Sequence, residues 1–245
     1  MRRFTVLAFL AFPLLGGCGS SNPYQGMEPD QLYLLGRQAY EKGDYGDAIR
    51  PLDRLLLSFG TSDLVPDARL LLAHSYFAKG DFLTARSEYQ RFLDRFAGHR
   101  DAPLAALGIC KSLASLSPKP QRDQNYTLEA MSICRNVVVD YSGTEAAQEA
   151  ANLANDMRLK MAEKEYLNAD FYFRRELYDS AIKYYEFVVQ LYPETRWAPM
   201  ALLGIYKSNQ AIGYDDLADE AKDKLLADYP DSPAAQEVRA NGAGA

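Results

Sequence analysis

The chain has 245 residues, of which 48% are hydrophobic and 24% are charged, and its 33 Asp and Glu residues outnumber its 27 Lys and Arg residues. This acidic balance argues against nucleic acid as a partner, because phosphate binding needs clustered positive charge. The apolar content is sufficient for one or two ordinary domains or for an array of repeats.

The first 17 residues have the features of a secretory signal peptide. Arg2 and Arg3 precede an apolar stretch from Phe4 to Leu15, which is shorter than the roughly 20 residues of a membrane-spanning helix. Leu15-Gly16-Gly17-Cys18 then resembles the lipobox of bacterial lipoproteins. That resemblance implies cleavage before Cys18, a diacylglyceryl group on its sulfur and an acylated amino terminus. We favour lipidation over an ordinary signal peptide with an incidental cysteine, because the signal pattern is complete.

Residues 18–28 form a polar tether after this signal. Gly19 follows the cysteine at the position where lipoproteins retained in the inner membrane carry Asp, so the lipoprotein resemblance points to the periplasmic face of the outer membrane. The Gly- and Pro-rich spacer is expected to span about 17 Å on average as a flexible coil. The folded part is therefore expected close to the membrane.

A repeated pattern begins at residue 29. Each copy has an alanine that follows a turn and precedes, four residues later, a bulky side chain. The copies centre on Ala48, Ala85, Ala130, Ala181 and Ala218, of which the Ala130 copy is weaker. Gly36, Ala73 and Ala169 stand twelve residues before three of these alanines. Because only Gly or Ala lets two helices cross at close range, the pattern predicts helix hairpins.

The spacing predicts an all-α fold of about five hairpins, at roughly 29–61, 66–98, 101–142, 162–194 and 198–231. The order of Leu-Gly, Tyr, Ala-x₃-aromatic and Pro is typical of tetratricopeptide repeats. Gly43 and Gly80 are expected to end the first helices of two hairpins in a left-handed conformation. The expected fold is a tetratricopeptide solenoid.

Two irregularities divide the array into halves. Residues 117–125 replace the turn of the third hairpin with a loop that is too proline-rich to be helical. Residues 144–176 contain no Gly or Pro and repeat apolar residues at helical spacing, which predicts a long helix if it is continuous. We expect three N-terminal repeats in 29–143, the long helix and two C-terminal repeats in 144–231, and a disordered tail in 232–245.

The remaining chemistry-bearing residues are few. Cys110 and Cys134 can form one disulfide in an oxidising compartment, although we favour two unpaired core residues because two cysteines carry no framework pattern. His74 and His99 are the only histidines and form no metal motif, so neither a metal nor a cofactor is expected. No nucleophile elbow or phosphate loop is present, and acidic pairs such as Asp215-Asp216 fall on turns or exposed faces. The sequence therefore does not indicate an enzyme.

Several features together resemble the BamD family, the lipoprotein subunits of the outer-membrane β-barrel assembly machinery. They are the lipobox, the five hairpins, the insertion in the third, the segment Glu163–Tyr166, and a spacing of 37 residues in two places, against the standard period of about 34. The resemblance covers nearly the whole chain. It implies a scaffold that docks on the periplasmic domains of the barrel-forming subunit, joins other accessory lipoproteins and receives unfolded outer membrane precursors.

Candidate contact residues follow from the first helices, which line the concave face of such hairpins. The spacing places Tyr33, Arg37 and Tyr40 beside Leu70, His74 and Phe77. Aromatic rings can hold the aromatic end of a peptide, and Arg37 can pair with its carboxylate. The alternative is that Tyr40 and Phe77 seal neighbouring hairpins while Arg37 is solvated.

Tyr172 and Arg175 are the candidates for docking on the barrel-forming subunit, with a purely structural role as the alternative. Two other classes of periplasmic protein remain alternatives for the whole chain. A pilotin-like lipoprotein for pilus secretin assembly would keep the regular period of about 34 residues and lack the third-hairpin insertion. A peptidoglycan-associated factor would carry a coiled coil or a glycan-binding domain, and neither is visible in the sequence.

Overall fold

The computed structural model describes residues 23–242, which form eleven α-helices and no strand. The helices are α1 (Pro29–Glu41), α2 (Tyr45–Ser58), α3 (Val65–Ala78), α4 (Phe82–Phe96), α5 (Ala102–Leu116), α6 (Asn125–Asp140), α7 (Glu145–Phe173), α8 (Tyr178–Leu191), α9 (Trp197–Ala211), α10 (Asp215–Asp228) and α11 (Pro233–Gly242). The predicted signal peptide, Cys18 and the first residues of its tether lie outside the described residues. Within 23–242, every helix is either too short or too polar to cross a membrane.

The first ten helices pack as five successive hairpins. Each helix contacts the next one along the chain, and α1, α3, α5, α7 and α9 also contact one another in that order. The backbones of the second helices α2, α4, α6, α8 and α10 do not approach one another in this way within the described residues. First helices on one face and second helices on the other are typical of a tetratricopeptide solenoid. The predicted all-α solenoid fold is therefore confirmed.

The repeated small residues lie where the helices of a hairpin cross. The five alanines of the pattern are at most 2% exposed. At Gly36 an added Cβ would lie 2.6 Å from Leu52 Cγ of the second helix, which is far inside normal contact distance. The glycine thus allows α1 and α2 to approach closely, as the spacing predicts.

Two further glycines allow successive hairpins to approach, and the sequence pattern missed them. A Cβ at Gly108 on α5 would lie 2.5 Å from the Tyr89 ring of α4, and one at Gly204 on α9 would lie 2.5 Å from the Tyr185 ring of α8. Both tyrosines stand four residues after a repeat alanine and are 2% exposed. The Leu-Gly pairs at 107–108 and 203–204 were the available signal.

Gly108→Ala is expected to destabilise the protein by about 2 kcal/mol, because the buried ring that it would strike cannot move without disturbing the core. Tyr89 is held in place by its hydroxyl, which lies 2.6 Å from His74 Nδ1. Urea unfolding followed by circular dichroism measures the change. Gly46→Ala is the control, because no atom lies within 4 Å of that Cβ and Ala favours the helix. Equal stability of the Gly108→Ala and wild-type proteins would contradict the expectation.

The turns of the hairpins use left-handed residues. Gly43 and Gly80 have φ values of +84° and +85°, which confirms the predicted turn chemistry. The fourth hairpin uses Glu176 at the same place, with φ +60°, and it is the only non-glycine residue with positive φ in the described part of the chain. That conformation costs about 1–2 kcal/mol for a residue with a side chain.

The third hairpin is held together by bonds other than a tight turn. Its α5 ends at Leu116 and its α6 begins at Asn125, so the segment between them is non-helical, as predicted. Lys160 of α7 donates from Nζ to Ser117 Oγ at 2.7 Å, which ties this loop to the next helix. Cys110 and Cys134 are fully buried and joined by a disulfide, with Cα atoms 5.1 Å apart. The favoured interpretation of unpaired cysteines is therefore wrong, although their place in the core is right.

Helix α7 is one continuous helix of 29 residues, or about 43 Å at 1.5 Å per residue. It contacts α5 and α6 of the third hairpin and α8 and α9 of the C-terminal hairpins. Its C-terminal part is the first helix of the fourth hairpin. It thereby links the two halves of the array.

The expected disordered tail is wrong over residues 233–242, which form α11. Ala234, Ala235 and Val238 are buried in the same cluster as residues of α9. Ser232 Oγ accepts from the Ala235 N–H at 3.1 Å and so caps the helix, with Pro233 in its first turn. Ser before Pro is a recognisable helix start that the composition of the tail obscured.

Candidate functional site

The six residues proposed to bind a peptide fall on α1 and α3, two first helices in contact with each other. Arg37 is exposed, and Tyr33, Tyr40 and Phe77 are partly exposed. We call the surface formed by these four residues the first-helix face. This face therefore presents one cationic side chain, that of Arg37, surrounded by aromatic rings.

Arg37 is the cation of this face, and its guanidinium is accessible to an anion. Its side chain is 52% exposed, and its partner Glu41 lies one turn further along α1, with Nε 3.6 Å from Oε1. Such an exposed pair contributes little and is easily exchanged for another carboxylate. Burial raises the pKa of Tyr33, and Asp67 on α3 acts in the same direction, so the Tyr33 hydroxyl keeps its proton and can donate a hydrogen bond.

Tyr40 and Phe77 also have a structural use. Tyr40 packs against Tyr45 with ring centroids 5.4 Å apart, and Phe77 packs against Phe82 at 5.3 Å. Each pair joins the last turn of a first helix to the first turn of its second helix. The rings therefore close their own hairpins and leave only part of their surface for a ligand.

Leu70 is buried, and His74 is only partly exposed. Leu70 is 8% exposed and lies in the core with Tyr89. His74 Nδ1 is within hydrogen-bond distance of the Tyr89 hydroxyl. Burial lowers the pKa of His74, and Lys111 acts in the same direction, so the imidazole is neutral. Both residues hold α3 against α4, so Leu70 lies inside hairpin two and His74 leaves only part of its surface for a ligand.

The proposed docking residues lie in a larger aromatic patch, which we define as Phe171, Tyr172, Arg175, Tyr184 and Phe187. Tyr172 stacks on Tyr184 with centroids 5.2 Å apart and an interplanar angle of 9°. The Arg175 guanidinium lies 3.6 Å from the centroid of the Phe171 ring. The aromatic patch thus joins the end of α7 to the middle of α8.

Much of the aromatic patch is open to solvent. Phe171 and Phe187 are 45% and 48% exposed. The sequence analysis named only Tyr172 and Arg175, but helical spacing also pairs Phe171 with Arg175 and Tyr184 with Phe187. Tyr and Arg side chains grouped on an exposed surface are the residues that dominate protein interfaces.

One group of side chains in residues 23–242 has the composition of a metal site. Asp67, His99 and Asp101 offer oxygen and nitrogen atoms that lie within 4.8 Å of one another. His99 Nδ1 accepts the backbone N–H of Asp101 at 3.2 Å, and the Asp101 carboxylate lies 3.6 Å from Arg100 Nε. His99 and Asp101 are thus already engaged with neighbouring groups, and nothing else there indicates an ion.

Comparison with known proteins gives consistent matches over most of the chain. The family model YfiO, described as outer membrane lipoprotein, matches residues 25–225. The putative outer membrane protein assembly factor BamD of Aquifex aeolicus (strain VF5) is 26% identical over 206 residues, covering 80% of this chain and 67% of that protein. The outer membrane protein assembly factor BamD of Vibrio cholerae serotype O1 is 24% identical over 233 residues, covering 91% and 97%. Among solved structures, the TPR2AB domain of yeast Sti1 in complex with pHSP90 is 13% identical, covers 82% of this chain and 78% of that chain, and has a TM-score of 0.46.

Proposed function

The chain belongs to the YfiO family of outer membrane lipoproteins, and we propose on that basis that it is an assembly factor for outer membrane β-barrel proteins. The family match over residues 25–225 carries the proposal, because it includes the five hairpins almost to the end of the last one. The relatives reported above are named as assembly factors, which favours this role over the pilotin alternative.

In this proposal the protein is a lipid-anchored scaffold on the periplasmic face of the outer membrane. Cys18, in the Leu-Gly-Gly-Cys motif, carries the lipid. The solenoid supports a role without catalysis, since such arrays present extended surfaces to other proteins. The acidic balance of the chain supports protein partners over nucleic acid.

The two surfaces have separate tasks in the proposal. The first-helix face receives unfolded outer membrane precursors, with the exposed Arg37 guanidinium available to a chain-terminal carboxylate. The aromatic patch docks on the periplasmic domains of the barrel-forming subunit. Its exposed rings and Arg175 support this assignment, because such residues gain most when a partner excludes water from them. Other accessory lipoproteins join the same assembly.

The experiment for this function is purification of the lipidated protein from cell envelopes after mild cross-linking, followed by identification of its partners. We expect the barrel-forming assembly subunit among them. Depletion of the protein is expected to lower the amount of folded β-barrel protein in the outer membrane. Recovery of a secretin without any barrel assembly subunit would overturn the proposal.

Arg37→Glu is expected to weaken binding of a peptide that ends in a free aromatic carboxylate by about tenfold, since a charge-assisted contact becomes a repulsion. Amidation of that peptide should cause a similar loss for the wild-type protein. Fluorescence anisotropy measures both.

Arg50→Glu is the matched control for this substitution. Arg50 is 72% exposed and pairs with Asp47 on the second helix α2, away from the first-helix face. Both variants are expected to keep the wild-type stability within about 0.5 kcal/mol, because both ion pairs are exposed. Equal peptide affinity in the two variants would remove Arg37 from the site.

A further inference from the structure

A cleft of about 340 Å³ opens between the second helices of hairpins four and five. α8 and α10 form its walls, and α9 forms its floor through Leu202 and Ile205. Ile182 and Val189 line one wall, and Leu217, which is 50% exposed, stands on the other. We call this cleft the C-terminal groove. It does not include the residues of the aromatic patch or of the first-helix face.

The first two hairpins provide an internal comparison for this groove. A shift of 133 positions superimposes them on hairpins four and five, because Ala48 and Ala85 then correspond to Ala181 and Ala218. Under the same shift Arg69 corresponds to Leu202, and Glu88 corresponds to Ala221. Equivalent positions of the two hairpin pairs therefore carry charged side chains near the amino terminus and apolar side chains near the carboxyl terminus.

Ionic side chains occupy this position between hairpins one and two. Arg69 Nη1 donates to Glu88 Oε2 at 2.8 Å, and Glu88 also forms an ion pair with Arg91. Glu88 is 5% exposed, and Asp53 of α2 interacts electrostatically with Arg69, Glu88 and Arg91, so the network lies between α2 and α4. Between α4 and α6, Arg86 and Glu129 form a bridging ion pair.

Between hairpins four and five Arg69 and Glu88 are replaced by apolar residues, whereas Arg91 corresponds to Lys224. Leu202 and Ala221 are shorter than the arginine and glutamate that they replace, and they cannot form an ion pair. No ion pair connects α8 with α10 in residues 23–242. The space that is filled near the amino terminus is therefore open and has an apolar floor here.

The rim of the C-terminal groove is acidic. Glu186 of α8 and Glu220 of α10 stand on opposite walls, and neither has an ion-pair partner in the described part of the chain. Lys224, the one cation of the lining, is paired with Asp228 at 2.8 Å. An occupant with positive charges beside its apolar surface would satisfy both carboxylates.

We propose that the C-terminal groove is the docking site of an amphipathic helix from a partner protein, with an apolar stripe on the floor and Lys or Arg residues against Glu186 and Glu220. A helix laid in an apolar groove uses side chains at i, i+3, i+4 and i+7. The volume is at the lower end of ligand clefts, which begin at about 300 Å³, and suits a few apolar side chains better than a large cofactor. This surface is additional to the two in the proposed function.

A designed peptide of about 18 residues tests the proposal, since that length can be helical in water. The probe has leucines at the spacing given above and lysines beside them, and its matched control has glutamates in place of the lysines. Fluorescence anisotropy with the full protein is expected to show saturable binding of the lysine peptide, at least about tenfold tighter than that of the glutamate peptide.

Leu202→Arg with Ala221→Glu rebuilds the Arg69–Glu88 pair in the C-terminal groove and is expected to weaken binding about tenfold or more. Leu57→Arg is the control, because Leu57 is 84% exposed on α2. Glu186→Lys with Glu220→Lys changes only the rim and is expected to reverse the preference between the two peptides. If the protein with Leu202→Arg and Ala221→Glu does not fold, the variant with Glu186→Lys and Glu220→Lys still tests the proposal, because it changes only surface residues.

Three results would overturn the proposal. The first is unchanged binding of the lysine peptide after the groove is filled, and the second is equal binding of both peptides by the wild-type protein. The third is a concentration-dependent dimer in analytical ultracentrifugation that the filled groove abolishes, since that would assign the groove to a second copy of the chain.

Discussion

Protein with Cys18→Ala, and with residues 1–17 exchanged for an ordinary cleavable signal peptide, is expected to leave the membrane fraction completely. The proposed anchor depends on one sulfur, because residues 23–242 contain no helix that could take its place in a bilayer. Each buried methylene of a lipid chain contributes about 0.8 kcal/mol, so several chains on one residue hold a protein firmly, whereas their loss leaves nothing comparable.

Cell fractionation measures this release, and mass spectrometry of the wild-type amino terminus measures the modification itself. Ser20→Ala, in the tether of the protein with its natural leader, is the control and is expected to stay with the outer membrane, because it preserves the lipobox. The released protein should show the same helical circular dichroism as the wild type. An unmodified amino terminus on the wild-type protein, or retention of the Cys18→Ala protein in the membrane, would refute the lipid anchor.

Removal of the disulfide by Cys110→Ala with Cys134→Ala is expected to lower the free energy of unfolding by about 3 kcal/mol. The bond closes a loop with a sequence separation of 24 residues, and a cross-link of that length restricts the unfolded chain substantially. It matters more here than in a hairpin with a tight turn, since the segment from Ser117 to Gln124 separates α5 from α6.

Urea unfolding of the lipid-free protein, with and without dithiothreitol, measures this contribution. Reductant should destabilise the wild-type disulfide protein by a similar amount and leave the double alanine variant unchanged. That comparison separates the bond from the loss of two sulfur atoms in the core. A wild-type protein that is insensitive to reductant, and no less stable without its cysteines, would contradict the expectation.

The hairpins were predictable because their contacts repeat at short sequence separation. Gly36 and Ala48 are twelve residues apart and both are buried at a crossing, so the repeated small residues revealed the fold. Packing between hairpins was less visible. The Tyr89 ring fits against Gly108 only because α5 lies across α4, and no periodicity within one helix reports that contact.

The candidate surfaces were predictable only in part. Helical spacing placed Arg37 and Tyr33 on one face, but it gave no warning that His74 pairs with Tyr89 inside the hairpin. The aromatic patch needs the meeting of α7 and α8, so Phe187 could not be joined to Tyr172 from one helix alone. The C-terminal groove depends on the absence of long side chains, which becomes visible only when Leu202 is aligned with Arg69.

The unbroken course of α7 sets how the two ends of the molecule can move. Helix α7 has 29 residues and packs against α5 and α6 of the third hairpin and against α8 and α9 of the C-terminal hairpins. Bending it in the middle would break consecutive backbone hydrogen bonds in a helix that has no proline or glycine to serve as a pivot. A tilt imposed on hairpin four is therefore expected to reach hairpin three with little bending of α7 between them, which would couple the orientations of the two halves.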